Sequence, residues 1–247
     1  MRIIGVYNIK GGVGKTATAV NLAYLAAAEG HRTLVWDLDP QAAATFYFRV
    51  KPKVKGGGKA LIQRKRDLDS VVKGTDFDNL DLLPADFSYR NMDLLLEDGG
   101  KPTKKLMRLL RPMAEEYDLV FLDCPPSISL VSENIFRAAD LLLVPTIPTT
   151  LSIRTLQQLS DFLSAHRDQF GLEVLPFFSM VDKRKSMHRE AMETLPERFP
   201  DFLSQPIPYL SDVERMGMHR SPIGYFAPRS KAHKAYLALW EEVRRHL

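Results

Sequence analysis

Short apolar runs alternate along the chain with longer segments in which apolar positions recur at helical spacing. This alternation predicts an α/β fold with three layers, in which helices cover both faces of a mostly parallel, twisted sheet. No repeat or linker interrupts the pattern, so we expect one domain over residues 1–247. The predicted strands are residues 3–7, 33–38, 80–83, 119–123, 141–145 and 174–180, and the predicted helices include residues 16–29, 103–116, 151–165 and 185–195.

Composition narrows the class of protein. The 247 residues are 45% hydrophobic and 26% charged, which is ordinary for a globular protein. The sequence has no apolar run of about 18 residues and no signal-peptide pattern after Met1, so we expect a cytoplasmic protein. Its single cysteine, Cys124, excludes a disulfide within the chain and a zinc site built from paired cysteines. The net charge of +4 permits a polyanionic partner without requiring one.

One basic segment, residues 49–66, stands out because it contains no acidic residue and surrounds three consecutive glycines, 56–58. Such a composition predicts a mobile loop. Two interpretations remain open, a solvated excursion of the chain or a patch that contacts phosphates. The basic residues singled out in this segment are Lys51, Lys53, Lys55, Lys59, Arg64 and Lys65.

A glycine-rich segment, Lys10–Thr16, lies between the first predicted strand and the first predicted helix. This context is typical of a phosphate-binding P-loop, because glycines let backbone N–H groups approach phosphate oxygens without steric conflict. The N-terminus of the helix adds partial positive charge at the same place. We therefore expect Lys15 to bridge the β- and γ-phosphates and the Thr16 hydroxyl to bind Mg²⁺.

The loop departs from the common P-loop pattern, which has a glycine where this chain has Ile9. A second lysine, Lys10, follows instead. The segment resembles the deviant Walker A loop of the ParA/MinD family of partitioning and positioning ATPases, and it implies a P-loop NTPase fold. In that family the first lysine reaches the partner's phosphates in a dimer that sandwiches two nucleotides. The resemblance therefore implies that Lys10 is catalytic together with Lys15.

Two acidic motifs also resemble the family. Asp37-Leu38-Asp39-Pro40-Gln41 ends the second predicted strand, and by this resemblance Asp39 activates the attacking water. A solvated turn carboxylate is the alternative interpretation. The apolar run 119–123 ends in Asp123 and looks like the family's Walker B strand, which implies that Asp123 binds Mg²⁺. Thr16, Asp39 and Asp123 form the expected metal set, and Cys124 is expected to be a packed residue.

The resemblance covers the whole chain and extends to the adenine end of the site. By analogy, Asp182 and Pro208 lie near the base, although a surface acid and a turn proline are the plainer alternatives. Where the family often has a second hydroxyl residue for the α-phosphate, this chain has Ala17, so nucleotide affinity is expected to be lower. The nucleotide-binding residues thus implied are Lys10, Gly11, Gly12, Val13, Gly14, Lys15, Thr16, Ala17, Asp182 and Pro208.

The family resemblance implies a function with ATP and Mg²⁺ as cofactors. An ATP-dependent homodimer binds double-stranded DNA nonspecifically at the nucleoid, and a ParB-like or cargo-specific partner stimulates slow ATP hydrolysis to position a cargo. Histidines 188 and 219 accompany the basic residues of the C-terminal half. The expected DNA-binding residues are Lys183, Arg184, Lys185, Arg189, Arg215, Arg220, Arg229, Lys231 and Lys234.

Three other functions remain open. A MinD-like ATPase would associate with a membrane, but the last helical pattern carries no amphipathic extension beyond it, and Glu241 and Glu242 oppose anionic lipid. A metabolic ATP-dependent enzyme on the same fold and a nucleotide-locked scaffold without turnover are the others. Because the sequence starts at its first predicted strand, we expect no N-terminal DNA-reading domain, and we expect no C-terminal membrane-targeting extension.

Overall fold

One seven-stranded sheet forms the centre of the computed structural model, which describes residues 1–63, 68, 70–97 and 102–247. The strand order is β3-β4-β2-β5-β1-β6-β7, and every neighbouring pair is parallel except β3 with β4. The prediction of a mostly parallel sheet is therefore confirmed. The strands are β1 Arg2–Val6, β2 Thr33–Asp37, β3 Lys73–Gly74, β4 Leu80–Leu83, β5 Leu119–Asp123, β6 Leu141–Thr146 and β7 Glu173–Phe178.

Helices connect these strands and cover both faces of the sheet. The helices within the described ranges are α1 Lys15–Ala28, α2 Ala43–Tyr47, α3 Gly57–Ile62, α4 Met92–Glu97, α5 Lys105–Leu110, α6 Leu130–Ala138, α7 Thr150–Ala165, α8 Arg167–Phe170, α9 Ser186–Arg198, α10 Ser211–His219, α11 Ile223–Phe226 and α12 Lys231–Val243.

Two hydrophobic cores lie on opposite faces of the sheet, because successive side chains of a strand point in opposite directions. In β1, Ile3 packs into one core and Ile4 into the other. The core around Ile3 also contains residues of α3 to α9, whereas the core around Ile4 contains residues of α1, α2 and α10 to α12. This arrangement confirms the three-layer α/β/α prediction.

The helix predicted over residues 103–116 is shorter than expected. The α-helix covers only Lys105–Leu110, with 3₁₀ turns on both sides. Pro112 lies in the second turn, and a proline supplies no N–H to continue an α-helix. The first turn of α5 is capped from another helix, because Asn134 Oδ1 of α6 accepts the N–H groups of Lys105 and Leu106 at 2.9 and 3.3 Å.

The basic segment is not entirely a loop. Residues 57–62 form α3, which packs through the buried side chains of Leu61 and Ile62. Gly58 permits this packing, because a Cβ there would lie 3.0 Å from the ring of Tyr89. Lys51, Lys53, Lys55 and Lys59 are exposed, whereas Arg64 and Lys65 lie outside the described residues.

The segment after α9 runs along the outer edge of β7. The Leu203 N–H donates to the Pro176 carbonyl and the Ile207 N–H to the Phe178 carbonyl, both at 2.8 Å. A single bridge between Val181 and Pro208 follows. These contacts bring the segment to the carboxyl end of the sheet.

Candidate nucleotide-binding site

The glycine-rich loop connects β1 directly to α1. Gly12 and Gly14 have φ values of +70° and +92°, a backbone region that other residues rarely adopt. Gly14 also approaches the end of β7 closely, since a Cβ there would lie 2.9 Å from Ser179 Oγ. The Asn8 side chain accepts the Lys10 N–H at 2.9 Å and fixes the start of the loop. The chain therefore requires glycine here for its backbone conformation as well as for space.

A cavity of about 490 Å³ opens beside this loop, at the carboxyl end of the parallel strands. Clefts at this end of an open α/β sheet are common ligand sites, and the volume is within the range of small-molecule pockets. The P-loop glycines and Lys15, Thr16 and Ala17 line one wall. The segment from Asp39 to Tyr47 and the segment from Pro208 to Glu214 contribute to the other walls.

Lys15 lies at the base of the cavity and is only 7% exposed. Its Nζ donates to the Lys10 carbonyl at 3.2 Å. Burial lowers the pKa of this ammonium, and the carboxylate of Asp123 opposes the change. A buried lysine beside a loop of glycines fits the oxygens of a terminal phosphate. The phosphate would replace the water that the buried ammonium has lost with an anionic partner.

Asp123 is fully buried at the end of β5, and neither of its carboxylate oxygens has a hydrogen-bond partner among the described residues. Burial, followed by the nearby Asp37, raises the pKa of this carboxyl well above its usual range. The Thr16 hydroxyl and the Lys15 ammonium act in the opposite direction on that pKa.

An orphaned buried carboxylate beside a threonine hydroxyl fits Mg²⁺. This ion commonly takes one or two protein oxygens and completes its octahedron with phosphates and water. Over residues 1–63, 68, 70–97 and 102–247, no group of three or more His, Cys, Asp or Glu side chains forms a metal cage. The site therefore suits an ion that arrives with a nucleotide.

Asp39 lies on the cavity wall just beyond β2. Its Oδ1 accepts the Gln41 N–H at 2.9 Å, and its own N–H donates to Asp37 Oδ1 at 3.2 Å. The buried Asp37 also accepts the N–H and hydroxyl of Thr45, at 2.8 and 2.7 Å. Burial raises the pKa of Asp37 to about 6. Sequence reasoning gave Asp37 no role, yet it anchors the start of α2 and so supports Asp39.

Lys10 points away from the cavity wall of its own chain. Its Nζ donates at 3.2 Å to Ser152 Oγ, a buried hydroxyl in the first turn of α7. Three apolar side chains on the segments that follow β5, β6 and β7 are exposed: Ile128 at 57%, Leu151 at 65% and Met187 at 49%. A Cβ on Gly11 would lie 3.9 Å from the Pro126 ring, and the Thr150 hydroxyl lies 4.0 Å from Met187 Sδ. The contact of Lys10 with Ser152 thus places its ammonium on α7 next to the exposed Leu151.

The two residues predicted at the adenine end differ in position. Pro208 lines the cavity, but Asp182 does not. The Asp182 carboxylate accepts Nε and Nη2 of Arg184, both at 2.9 Å, which lowers the pKa of Asp182 strongly. Val13 is buried beneath the loop. The sequence assigned no role to several residues that line the cavity, although Gln41, Met180 and Tyr236 lie in segments that resemble the family: Gln41, Tyr47, Met180, Tyr209, Val213, Glu214 and Tyr236.

The predicted DNA-binding residues divide into two groups on different elements. The first group lies before and within α9, and the second lies from α10 to α12. Four of the arginines make contacts within the chain. Arg184 pairs with Asp182, Arg215 pairs with Asp212 at 3.5 Å, and Arg220 donates to the Phe46 carbonyl at 3.2 Å. Arg189 donates to the Lys183 carbonyl at 2.8 Å and remains exposed. The other residues of the two groups are exposed as well: Lys183, Lys185, Arg229, Lys231 and Lys234.

Comparisons with known proteins agree with this geometry. A family model described as an AAA domain matches residues 1–173. The sporulation initiation inhibitor protein Soj of Bacillus subtilis is 29% identical over 247 residues, which cover 98% of each chain. The chromosome partitioning protein ParA of Myxococcus xanthus is 30% identical over 252 residues, covering 98% of this chain and 87% of the relative. The chain belongs to the ParA/MinD superfamily of ATPases.

Solved structures connect this ParA/MinD fold to its cofactors. Cobyrinic acid a,c-diamide synthase from Mycobacterium smegmatis has a TM-score of 0.85 at 26% identity, covering 100% of this chain and 95% of that one. It was solved with ADP and magnesium and with an ATP analogue and magnesium. ATP and Mg²⁺ are therefore the cofactors of this ParA/MinD site. No helix in the described part of the chain is long and apolar enough to cross a membrane.

Proposed function

We propose that this chain is a ParA-like ATPase of a single domain that dimerises with ATP, binds DNA nonspecifically and positions a cargo. The cargo would be a chromosome, a plasmid or a protein complex, and a partner protein would stimulate the hydrolysis. The observation that carries this proposal is the pair of lysines on one loop. Lys15 faces the cavity, whereas Lys10 is held on the outer side by Ser152.

Within one chain, the proposed chemistry divides among four residues. Lys15 binds β- and γ-phosphate oxygens, and Asp39 orients the attacking water from the cavity wall. Thr16 and Asp123 hold Mg²⁺, which when bound neutralises charge on the phosphate oxygens. Nothing in this set supplies a second cation to the γ-phosphate, so hydrolysis by one isolated chain is expected to be slow. A cation supplied from outside is worth about 10³- to 10⁵-fold in related reactions.

Self-association supplies that missing cation in the proposal. Lys10 contacts Ser152, the neighbour of Leu151 on α7. The exposed apolar side chains of Ile128, Leu151 and Met187 follow β5, β6 and β7 and would be buried against a second copy. Release of Lys10 from Ser152 would let its ammonium reach the partner's phosphates. ATP therefore favours the dimer because its γ-phosphate provides the anion that Lys10 contacts.

Nonspecific DNA binding is assigned to exposed basic residues of the C-terminal half. Lys231 and Lys234 are three residues apart on α12 and therefore share a face, with Arg229 just before the helix. Lys183 and Lys185 lie before α9. A dimer doubles this charge, and each neutralised phosphate contributes about −0.9 to the slope of log affinity against log salt on duplex DNA.

A second candidate is an ATP-dependent metabolic enzyme, favoured by the likeness to cobyrinic acid a,c-diamide synthase. Such an enzyme would use the same cavity for nucleotide but would bind a small carboxylic substrate near it. It gives no role to the half-buried Lys10 or to the exposed apolar side chains at the same end of the sheet.

The test measures binding to a random-sequence DNA duplex with ATP, with ADP and without nucleotide, at two salt concentrations. We expect salt-sensitive binding with ATP alone. Asp39→Ala should retain ATP and prolong binding, whereas Lys10→Ala should abolish binding because the dimer does not form. Lys231→Gln with Lys234→Gln should weaken binding by about 10-fold or more, because fewer counterions are then released from the DNA.

A matched control removes the same charge elsewhere. Lys55→Gln with Lys59→Gln alters two exposed lysines of the basic segment and should leave DNA affinity nearly unchanged. A larger loss of DNA affinity in this double variant than in the Lys231→Gln, Lys234→Gln variant would instead place the phosphate contacts in the basic segment. Absence of DNA binding in every nucleotide state would contradict the proposal, and assays for liposome binding and for amide-ligase activity would follow.

A further inference from the structure

Two helices beside the nucleotide cavity, α2 and α10, are each followed by an arginine in the left-handed backbone region. Arg49 has φ +60° and Arg220 has φ +47°. Glycine is the usual residue at this position after a helix, because a side chain is strained there. Each of these arginine side chains makes contacts that glycine would lack.

Those contacts are reciprocal. Arg49 donates from Nε to the Arg220 carbonyl and from Nη2 to the His219 carbonyl, both at 3.1 Å, so it binds the C-terminal end of α10. Arg220 donates from Nε to the Phe46 carbonyl at 3.2 Å, near the C-terminal end of α2. Each guanidinium thus satisfies terminal carbonyls of the other helix, where positive charge is favoured.

Two further contacts fix the pair in place. The Arg220 guanidinium lies 4.6 Å from the ring centre of Phe46, a side chain that is 47% exposed. The Arg49 Nη1 lies 3.3 Å from a carboxylate oxygen of Asp76, which precedes β4. Planar guanidinium groups suit such stacking and multiple donation, and lysine cannot reproduce them.

The two helices carry opposite walls of the cavity. The α2 side contributes Asp39, Gln41 and Tyr47, and the α10 side contributes Val213 and Glu214. Only a short turn separates Asp39 from α2, and its backbone carbonyl accepts the Ala42 N–H at 2.9 Å. A displacement of α2 would therefore displace Asp39.

The α10 side has its own anchor on the P-loop helix. Asn21 of α1 donates to Met216 Sδ at 3.3 Å and accepts the Ile223 N–H at 2.9 Å. Because α10 is tied to α1 independently and the start of α2 is held by the Asp37–Thr45 contacts, disruption of the arginine contacts would loosen the C-terminal end of α2 rather than α10.

We propose that Arg49 and Arg220 form an arginine latch that holds α2 against α10 and thereby positions Asp39 for water activation. Both are positioning residues, and Arg220 acts within the chain rather than on DNA. The latch rests on the proposed function, because its effect on rate requires that Asp39 serves ATP hydrolysis.

The test compares Arg49→Lys and Arg220→Lys with the wild-type chain under steady-state ATP hydrolysis. Both variants keep the positive charge but lose the several N–H donors of the planar guanidinium group. We expect kcat to fall on the order of 10- to 100-fold, because a misplacement of about 1 Å has this effect. KM should stay within about threefold, since the phosphate-binding residues are unchanged. The double variant should be no slower than the slower single variant, because the latch is already open.

Arg220→Gly separates the latch from simple misfolding. Glycine relieves the left-handed strain and so offsets part of the lost contacts, and this variant should remain cooperatively folded in thermal unfolding and still lose kcat. Arg245→Lys is the matched control at an exposed arginine near the end of the chain, and its kcat should match the wild type.

Hydrogen exchange reports on the latch without any hydrolysis. Amides of residues 43–48 should exchange faster in Arg220→Lys than in the wild type or in Arg245→Lys. Unchanged exchange together with wild-type kcat in both lysine variants would overturn the latch while leaving the ATPase proposal intact. If the wild-type chain hydrolyses no ATP, the proposed function is wrong. The hydrogen-exchange rates of α2 would then still show whether the arginine contacts hold that helix. Loss of DNA binding in Arg220→Gly at normal kcat would make Arg220 a DNA contact instead.

Discussion

At the scale of single residues, Asp123 combines burial with the absence of a hydrogen-bond partner for either carboxylate oxygen among the described residues. A buried carboxylate without partners opposes folding, so it persists where a ligand compensates for it. The same atoms that destabilise the ligand-free protein are those that fit Mg²⁺ in the nucleotide-bound protein.

Asp123→Asn is therefore expected to have opposite effects in two states. Without nucleotide the variant should be more stable by about 1–3 kcal/mol, because the raised pKa of Asp123 makes folding at neutral pH require uptake of a proton, a cost that a neutral amide of similar shape avoids. That gain corresponds to a rise in Tm of about 2–4 °C per kcal/mol for a chain of this size. With Mg²⁺ and ATP the variant should lose most of the stabilisation that ligand gives the wild type. Thermal unfolding with and without Mg²⁺–ATP measures both, and a less stable ligand-free variant would contradict the argument.

Much of the site could be predicted because its residues follow strands. Lys15, Asp39 and Asp123 each come just after or at the end of a predicted strand, and neighbouring parallel strands bring their carboxyl ends together. The partner of Lys10 could not be predicted, because Ser152 is 142 positions away and its hydroxyl resembles any other in a helix. The effect of Ala17, which lines the cavity without a hydroxyl, stays a prediction.

At the scale of elements, the starts of β2 and β5 are joined by one charged pair. Asp118 accepts the Arg32 N–H at 2.9 Å and Arg32 Nη2 at 2.7 Å, and the Asp118 N–H donates to the Arg32 carbonyl at 2.8 Å. The hydrogen bonds from Arg32 lower the pKa of Asp118 to about 2, although both side chains are largely exposed. The pair fixes the register of two central strands at the bottom of the sheet.

This pair gives stability a defined dependence on pH. The folded pKa of Asp118 is below its unfolded value of about 3.9, so the contribution is full above about pH 4 and disappears as pH falls towards about 2. Urea midpoints of the wild type should exceed those of Asp118→Asn at neutral pH, and the gap should close across this window. Arg32→Gln should show the same narrowing against the wild type. A gap that stays constant down to about pH 2 would exclude the ionised pair as its origin.

The type and bounds of an element could be predicted where its own sequence pattern determines them. They could not be predicted where a residue distant in sequence determines them. The strands of the sheet were largely found, because a buried strand is an apolar run. Helix α5 was predicted too long, since its start depends on Asn134 in α6 and its end on Pro112. Helix α3 was missed because its two glycines, and the third glycine just before it, disfavour a helix locally, whereas Leu61 and Ile62 gain more from burial.

At the scale of the whole molecule, the sequence predicted parallel strands but could not predict their order, which requires knowledge of the crossovers. That order places β1 between β5 and β6, so the P-loop emerges between the loop with Ile128, which follows β5, and the start of α7 with Leu151, which follows β6. The exposed apolar side chains near Lys10 thus follow from the topology, and they define the face on which a second copy would bind.

Leu151→Glu tests that face. Leu151 is 65% exposed, so the change should barely alter folding, but it should weaken the ATP-dependent dimer on the order of 100-fold by placing a charge in a buried interface. Leu94→Glu is the matched control, because Leu94 is 66% exposed on α4. Sedimentation with a non-hydrolysable ATP analogue should give monomers for Leu151→Glu and dimers for Leu94→Glu. Dimers in both would move the interface elsewhere.

The two edges of the sheet affect whether the protein aggregates at high local concentration. On β7, Pro176 has no N–H to offer, and the carbonyls of Pro176 and Phe178 already accept Leu203 and Ile207. On the far edge, β3 has only two residues, Lys73 and Gly74. Both features disfavour the addition of a strand from another copy, which is the route by which crowded proteins form fibres. If many copies bind one DNA molecule, as proposed, we expect them to dissociate again without forming such fibres.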